Sequence, residues 1–333
     1  MSSSLSPTDG PTGTQATNNN RTLTSSLRKF EPVPPHRQDK ATTNSRRSTL
    51  KSLHGVDLRP KPQCYVLTNG YPKNDLTLKL ESIAEDSNGL RFRMLQFDPE
   101  PDFWQYNDTH KGGSRPANYA RIWKTLGVIR HGPTFIYISG HSQETSRGEL
   151  AYVPADHLTT DPKLFPYETM RQLLLLKNPS SLPLLFVTEA CYCDNFLRLP
   201  YVLVFKDNEV QWQKTGYPAL GEGSSSVVHC AATSPGEQAV SFENGAVFTK
   251  AFYNIDPRDE LSLMDIAKRL EENVNKVLAA DTTNVRTQSP KVYCSQIMND
   301  PHFFKAMGFY CPLDSDSSAE GDSDSNISIG GQD

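Results

Sequence analysis

The sequence predicts an α/β protein whose mostly parallel sheet carries helices on both faces. Two observations predict it. The runs at residues 64–67, 134–139, 184–187 and 226–232 have the continuous apolar, β-branched character of strands buried on both faces. Between them lie segments with helical spacing, and strands that alternate with helices build βαβ units with right-handed crossovers.

Taken in order, residues 64–67 (CYVL) form a strand stopped by the turn signal Asn69-Gly70. Asp75 caps a helix over residues 76–84, and residues 91–97 (RFRMLQF) alternate like a half-buried strand. Residues 98–113 are rich in turn formers and read as a loop. Ser114 then caps a helix with Pro116 in its first turn, and Tyr119, Ile122, Trp123, Leu126 and Ile129 share one face. Residues 134–139 (TFIYIS) are a buried strand that stops at Gly140-His141-Ser142; residues 150–153 add a short strand and 167–176 a helix. Residues 184–187 lead through Thr188 and Glu189 to two thiols, Cys191 and Cys193. Residues 205–225 are polar and rich in Gly and Ser, a linker; 226–232 is a strand and 245–253 a helix. The helix at 262–278 opens on Ser262 with Asp265 three residues on, and buries Leu263, Ile266, Leu270, Val274 and Val277. Residues 291–296 supply a last strand.

Both ends differ from this pattern. Residues 1–60 are a Ser/Thr/Pro-rich basic leader with Phe30 as their lone aromatic, too poor in apolar surface to offset the entropy of ordering. Residues 312–333 are an acidic tail without Lys or Arg. One domain is therefore expected over residues 61–311. The net charge of −4 favours no nucleic-acid partner, and the basic leader reads as solvated. No apolar run approaches the ~20 residues of a membrane span and the first residues lack a secretory core, so a cytoplasmic or nuclear location is expected. Six cysteines in a chain this long are not a disulfide framework.

Cys191 follows a buried strand, the place where open α/β sheets present their chemistry. A thiol attacks as thiolate and needs a base, and His141 also follows a buried strand, 50 residues earlier. Cys193 is the rival nucleophile, and the two thiols together are the weakest of zinc motifs. Gly140-His141-Ser142-Gln143-Glu144 also approaches the nucleophile elbow of α/β-hydrolases, with Ser142 attacking, although Glu144 stands where the elbow needs glycine.

The spacing of His141 and Cys191, with Glu189-Ala190-Cys191 around the thiol, resembles the caspase signature. Residues 134–142 resemble the metacaspase strand ending in S-G-H-G, and residues 189–201 the family's D-S/C-C-H-S-G-x-x-L-D-L-P-Y, through Cys191, Leu197, Leu199, Pro200 and Tyr201. Supporting likenesses are the helix at 114–129, residues 149–156 (ELAYVPAD) and residues 245–252 (GAVFTKAF). The resemblance covers residues 61–305. It implies a caspase-hemoglobinase-like three-layer sandwich with a mostly parallel six-stranded sheet, in a large segment (61–204), a linker (205–225) and a small segment (226–311). It implies a cysteine endopeptidase with a His141–Cys191 dyad and an oxyanion hole from the backbone N–H groups of Cys191 and Ser142. Cleavage of proteins or peptides after Arg or Lys is implied by Glu189, where the family has an aspartate, and self-cleavage is expected after Lys206 or Lys214. The family default is a monomer without a nucleic-acid or membrane partner. Of the family's calcium ligands Asp156 matches one, but Arg198 occupies another's place, and a cation among ligands opposes a hard dication. No cofactor is expected. The departures at Ser142, Cys193 and Arg198 leave open a caspase-like pseudoprotease that binds partners.

Overall fold

A computed structural model describes residues 59–72, 79–109, 115–157, 163–177, 180–207, 209–221, 223–280 and 286–312, all within one compact unit, Asp57–Asp333. The expected caps Asp75 and Ser114, and nearly all of the leader and tail, lie outside the described residues.

The chain begins with β1 (Gln63–Thr68), α1 (Ile83–Met94), β2 (Asp102–Asn107), α2 (Tyr119–Leu126) and β3 (Thr134–Ser139). A small sheet follows, β4 (Ser142–Glu144), β5 (Leu150–Tyr152) and β6 (Phe165–Pro166), then α3 (Tyr167–Arg171) running into a π-helical stretch, Gln172–Lys177. Next come β7 (Leu184–Glu189), the hairpin β8 (Tyr201–Lys206) and β9 (Glu209–Lys214), β10 (Val227–Ala231) and the short pair β11 (Ser241–Phe242) and β12 (Gly245–Ala246). The chain then adds α4 (Val247–Tyr253), α5 (Leu263–Ala279), β13 (Lys291–Cys294) and α6 (Phe303–Ala306).

The main sheet has eight strands in the order β2-β1-β3-β7-β10-β13-β8-β9. The first five are mutually parallel; β13, β8 and β9 are joined by antiparallel pairings. Side-chain alternation assigns the layers. Phe135 stacks on Phe252, and the Tyr137 hydroxyl meets Thr249 Oγ1 at 2.7 Å, so the odd positions of β3 face α4. Thr134 and Ile136 line a small cavity with Leu126 and Leu173, so the even positions face α2 and the π-helical stretch. Helices thus flank both faces. Each fully buried large side chain, such as Phe135 or Phe186, contributes roughly 2–3 kcal/mol by leaving water.

The 11 residues between β7 and β8 are not a surface loop. β8 starts level with the lower half of β7, since Tyr201 pairs with Cys294, Cys294 with Val228 and Val228 with Leu185. The connection therefore descends across a sheet face, where Phe196 stacks on Tyr167 and packs edge-on against Phe186 and His229.

Four expectations are corrected. The sheet has eight strands, not six, because β8 and β9 lie within and beside the expected linker. Residues 205–206 and 209–214 of that linker belong to the β8–β9 hairpin, in which Val210 is buried and Trp212 partly so. Residues 91–94 continue α1: Ile83, Asp86, Ser87, Leu90 and Met94 make its buried stripe, a helical spacing that outweighs the brief alternation of RFRMLQF. The expected loop at 98–113 contains the edge strand β2, whose Trp104 stacks on Tyr65 at 4.6 Å. The α5 expectation holds except that Val277 is only partly buried, and the capping box is present: Ser262 Oγ accepts the Asp265 N–H and Asp265 Oδ2 the Ser262 N–H, both at 3.2 Å.

Candidate active site

The site lies where β3 and β7 leave the sheet. They are neighbouring parallel strands in register, Ser139 opposite Glu189, and the Gly140 N–H donates to the Glu189 carbonyl (3.2 Å). His141 and Cys191 each stand two residues beyond that level. Adjacent strands lie about 4.8 Å apart, so the register brings both to one edge.

His141 is half-buried and fixed through its backbone. Its N–H donates to the Tyr71 hydroxyl (3.0 Å) and its carbonyl accepts the Val153 N–H (2.9 Å). Gly140 has φ +154, and a Cβ there would meet the hydroxyls of both Tyr71 and Tyr152 at 2.7 Å, so the turn into His141 requires glycine.

The Cys191 thiol is half-buried. Burial pushes it above the ordinary thiol value, the Ala239 backbone N–H works against that, and Cys193 and the Glu189 carboxylate reinforce it. The Cys191 carbonyl accepts from the Ser142 hydroxyl and, at 3.4 Å, from that of Tyr167. Cys193 points the other way: its buried thiol donates to the Thr188 carbonyl (3.5 Å) and lies 3.6 Å from Thr233 Oγ1.

Ser142 sits opposite Tyr152 in the β4–β5 ladder. The bond from Val153 N–H to the His141 carbonyl makes this the non-hydrogen-bonded kind of pair, so the Ser142 N–H points away from β5. Its hydroxyl is engaged with Cys191, and residues 142–144 are strand rather than the helix a nucleophile elbow packs against. The serine-hydrolase expectation loses its structural context.

Glu189, at the end of β7, is buried on the α4 face. Oε2 accepts the Thr249 N–H (2.7 Å) and hydroxyl (2.9 Å), whereas Oε1 is buried without a hydrogen-bond partner. The Gln288 amide donates to the Ala232 carbonyl (3.0 Å) and lies close enough to Glu189 to lower its pKa slightly against the burial. Asp86 of α1, fully buried, accepts the Ala246 N–H at 3.0 and 3.2 Å through its two oxygens. Burial first, then repulsion from Asp86, raises Glu189 to about 8, and burial raises Asp86 to about 7 against the Ala246 N–H, Ser82 and Lys250. Two carboxylates therefore share one buried corner beside the thiol loop.

The remaining site residues lie apart. Asp156 Oδ1 accepts the Tyr119 N–H (2.9 Å) at the start of α2. Arg198 pairs with Glu168 Oε2 (3.2 Å), whose Oε1 is 2.9 Å from Arg171, so the cation in the expected ligand position has its own carboxylate. Among the described residues no group of three or more His, Cys, Asp and Glu gathers as a metal ion requires, and no helix is long and apolar enough to cross a membrane. Lys206 and Lys214 are exposed at the ends of β8 and β9, paired with Glu209 and Tyr201.

Asp86, Tyr71, Thr249 and the Ala239 N–H belong to the site without having been expected from the sequence. Asp86 carried a signal, a carboxylate on the apolar stripe of α1, hidden by taking residues 91–97 as a strand. Tyr71, Thr249 and Ala239 carried none, since their roles rest on contacts between segments distant in sequence. No protein-family model matches this chain, and no curated protein matches it.

Proposed function

We propose that this protein is a caspase-like cysteine endopeptidase, similar to metacaspases, that cleaves after Arg or Lys with His141 and Cys191. The observation that carries the proposal is the shared sheet edge, set by the in-register pairing of Ser139 with Glu189. In this mechanism His141 takes the Cys191 proton and the thiolate adds to the scissile carbonyl. The Cys191 and Ser142 N–H groups bind the oxyanion. His141 then gives its proton to the leaving amine, and water, deprotonated by the same imidazole, releases the acyl group and restores the thiol.

The preference for a basic side chain rests on the buried pair Asp86 and Glu189. A guanidinium or ammonium brought to this corner displaces the protons that burial holds there and supplies the partner that Glu189 Oε1 lacks. This mechanism gives calcium no part, because Arg198 and Arg171 share the single carboxylate of Glu168 where the family resemblance puts the ion, and that net positive cluster opposes a dication. The edge strand β9 carries Glu209, Gln211, Gln213 and Lys214, polar residues that discourage pairing between sheets, in keeping with a monomer.

A second reading, a caspase-like pseudoprotease, is favoured by the raised Cys191 thiol with the acidic Glu189 beside it. The test is hydrolysis of fluorogenic peptides ending in Arg, Lys or Asp by the full chain, with and without calcium. Turnover is expected after Arg and Lys, and none in Cys191→Ala or His141→Ala. No turnover of any peptide in any buffer leaves the binding module.

A further inference from the structure

Tyr71 meets His141 through both its hydroxyl and its ring, although it lies 70 positions away in sequence. It is buried, and its backbone is in the left-handed region (φ +53), a conformation that disfavours a side chain and must be held from outside. Asp108 holds it, accepting the Gly70 N–H at 2.6 Å and the Tyr71 N–H at 3.0 Å on separate oxygens. The ring it presents lies over the His141 imidazole, centroids 5.2 Å apart and planes 29° from parallel. Its hydroxyl accepts the His141 N–H and donates to the Val153 carbonyl at 2.7 Å. Because the Val153 N–H in turn donates to the His141 carbonyl, Tyr71, His141 and Val153 close a ring of hydrogen bonds. His157 packs edge-on against the Tyr71 ring at 5.6 Å, and Gly140 leaves room for the hydroxyl.

We propose that Tyr71 is a positioning residue for His141, holding its backbone by hydrogen bonds and its imidazole by stacking at the edge shared with Cys191. A phenol face over an imidazole stabilises the imidazolium form, which is the form paired with a Cys191 thiolate. The titratable groups around His141 are Tyr71, Tyr152, His157 and Cys191, with Asp108 behind the 70–71 turn and Tyr167 on the Cys191 carbonyl. Burial holds the Tyr71 and Tyr152 hydroxyls well above neutrality, so both stay protonated donors.

This proposal rests on the His141–Cys191 reading, and the experiment separates the two. Iodoacetamide labelling of Cys191 in the full chain is followed from pH 5 to 10 by peptide mass spectrometry, which needs no turnover. His141→Ala is expected to shift the reactivity profile toward higher pH. Tyr71→Leu should shift it part of the way, and Tyr71→Phe, which keeps the ring, should follow the wild type. On an Arg-ended peptide Tyr71→Phe should lose about tenfold in kcat at unchanged KM, the scale of one lost hydrogen bond. A wild-type profile in Tyr71→Leu, with His141→Ala shifted, overturns the positioning role alone. A wild-type kcat in Tyr71→Phe overturns it even if Tyr71→Leu does not fold. A wild-type profile in His141→Ala removes the dyad and this proposal together.

Discussion

Glu189 receives both the backbone N–H and the hydroxyl of Thr249 on one oxygen, at 2.7 and 2.9 Å, while its other oxygen is buried with no partner. A carboxylate so placed is half satisfied; burial and the neighbouring Asp86 raise its pKa, and the unpaired oxygen is what a cationic ligand would meet.

Stability should fall as pH rises. Glu189 moves from an ordinary value of 4.5 to about 8 on folding, and Asp86 from 3.8 to about 7. The folded state therefore holds these protons more tightly than the unfolded chain. Their neutral forms cost nothing extra below about pH 4, and the penalty grows through neutrality and levels off above about 8. Thermal melts should show a loss of a few kcal/mol across this window, shared by the coupled pair. Glu189→Gln should flatten the upper part of the curve; a curve identical to wild type disconnects Glu189 from the dependence.

A cationic ligand should release protons. Agmatine, a guanidinium on a short chain, is expected to bind more tightly as pH rises from 6 to 8.5. Calorimetry in buffers of different ionisation enthalpy should record net proton release. Glu189→Gln should weaken Arg-ended peptides by at least tenfold in kcat/KM. An equal loss on Asp-ended peptides separates Glu189 from specificity.

Ser142→Ala removes the hydroxyl that contacts the Cys191 carbonyl but keeps the backbone N–H. Hydrolysis of Arg-ended peptides should persist within about tenfold, the scale of one hydrogen bond. A loss of a thousandfold or more would make Ser142 chemical rather than supporting. Cys193→Ala should likewise retain turnover, since that thiol is buried against Thr188 and Thr233.

Arg198 has φ +56, and its ion pair with Glu168 is half exposed. A pair of this kind is worth at most about 1 kcal/mol, similar to the strain of the left-handed backbone. Arg198→Ala should destabilise because it loses the pair and keeps the strain, whereas Arg198→Gly should melt close to wild type. Equal melting temperatures for the two variants contradict the role given to φ.

Self-cleavage, followed by intact mass, should occur after Lys206 before Lys214. Lys206 adjoins the β8–β9 turn, whereas the residue after Lys214, Thr215, is tied to Pro200 and Leu199 by bonds of 2.9 and 2.6 Å. A first cut after Lys214 reverses that order.

The parallel centre of the sheet was legible because buried parallel strands carry continuous apolar and β-branched runs, as in residues 134–139 and 184–187. The antiparallel edge was not. β8 and β9 mix Lys206, Glu209, Gln211 and Gln213 with apolar residues, and the Gly/Ser content of 215–225 coloured the whole stretch as linker. Asp207, with φ +53, was the overlooked hairpin signal. At the site, strand ends pointed to His141 and Cys191, whereas Glu189 was singled out through the family resemblance. Asp86 is marked locally only as a carboxylate on the apolar stripe of α1, and Tyr71 joins the site only through its tertiary pairing with His141, which no local pattern encodes.

The crossover between β7 and β8 gives the thiol an uncommon mounting. Eleven residues can reach roughly 36 Å when extended, while three strand spacings and a descent of four residues need only about 20 Å. Left-handed turns at Tyr192 and Arg198, both non-glycine, fold up the slack, and Phe196 is driven between Tyr167 and His229. The Cys191 thiol thus sits on a strut rather than a flap, anchored in the same aromatic stack that fills the sheet's face. Damage to that stack, at Phe196 or Tyr167, should register as a change in thiol reactivity before the protein loses its fold.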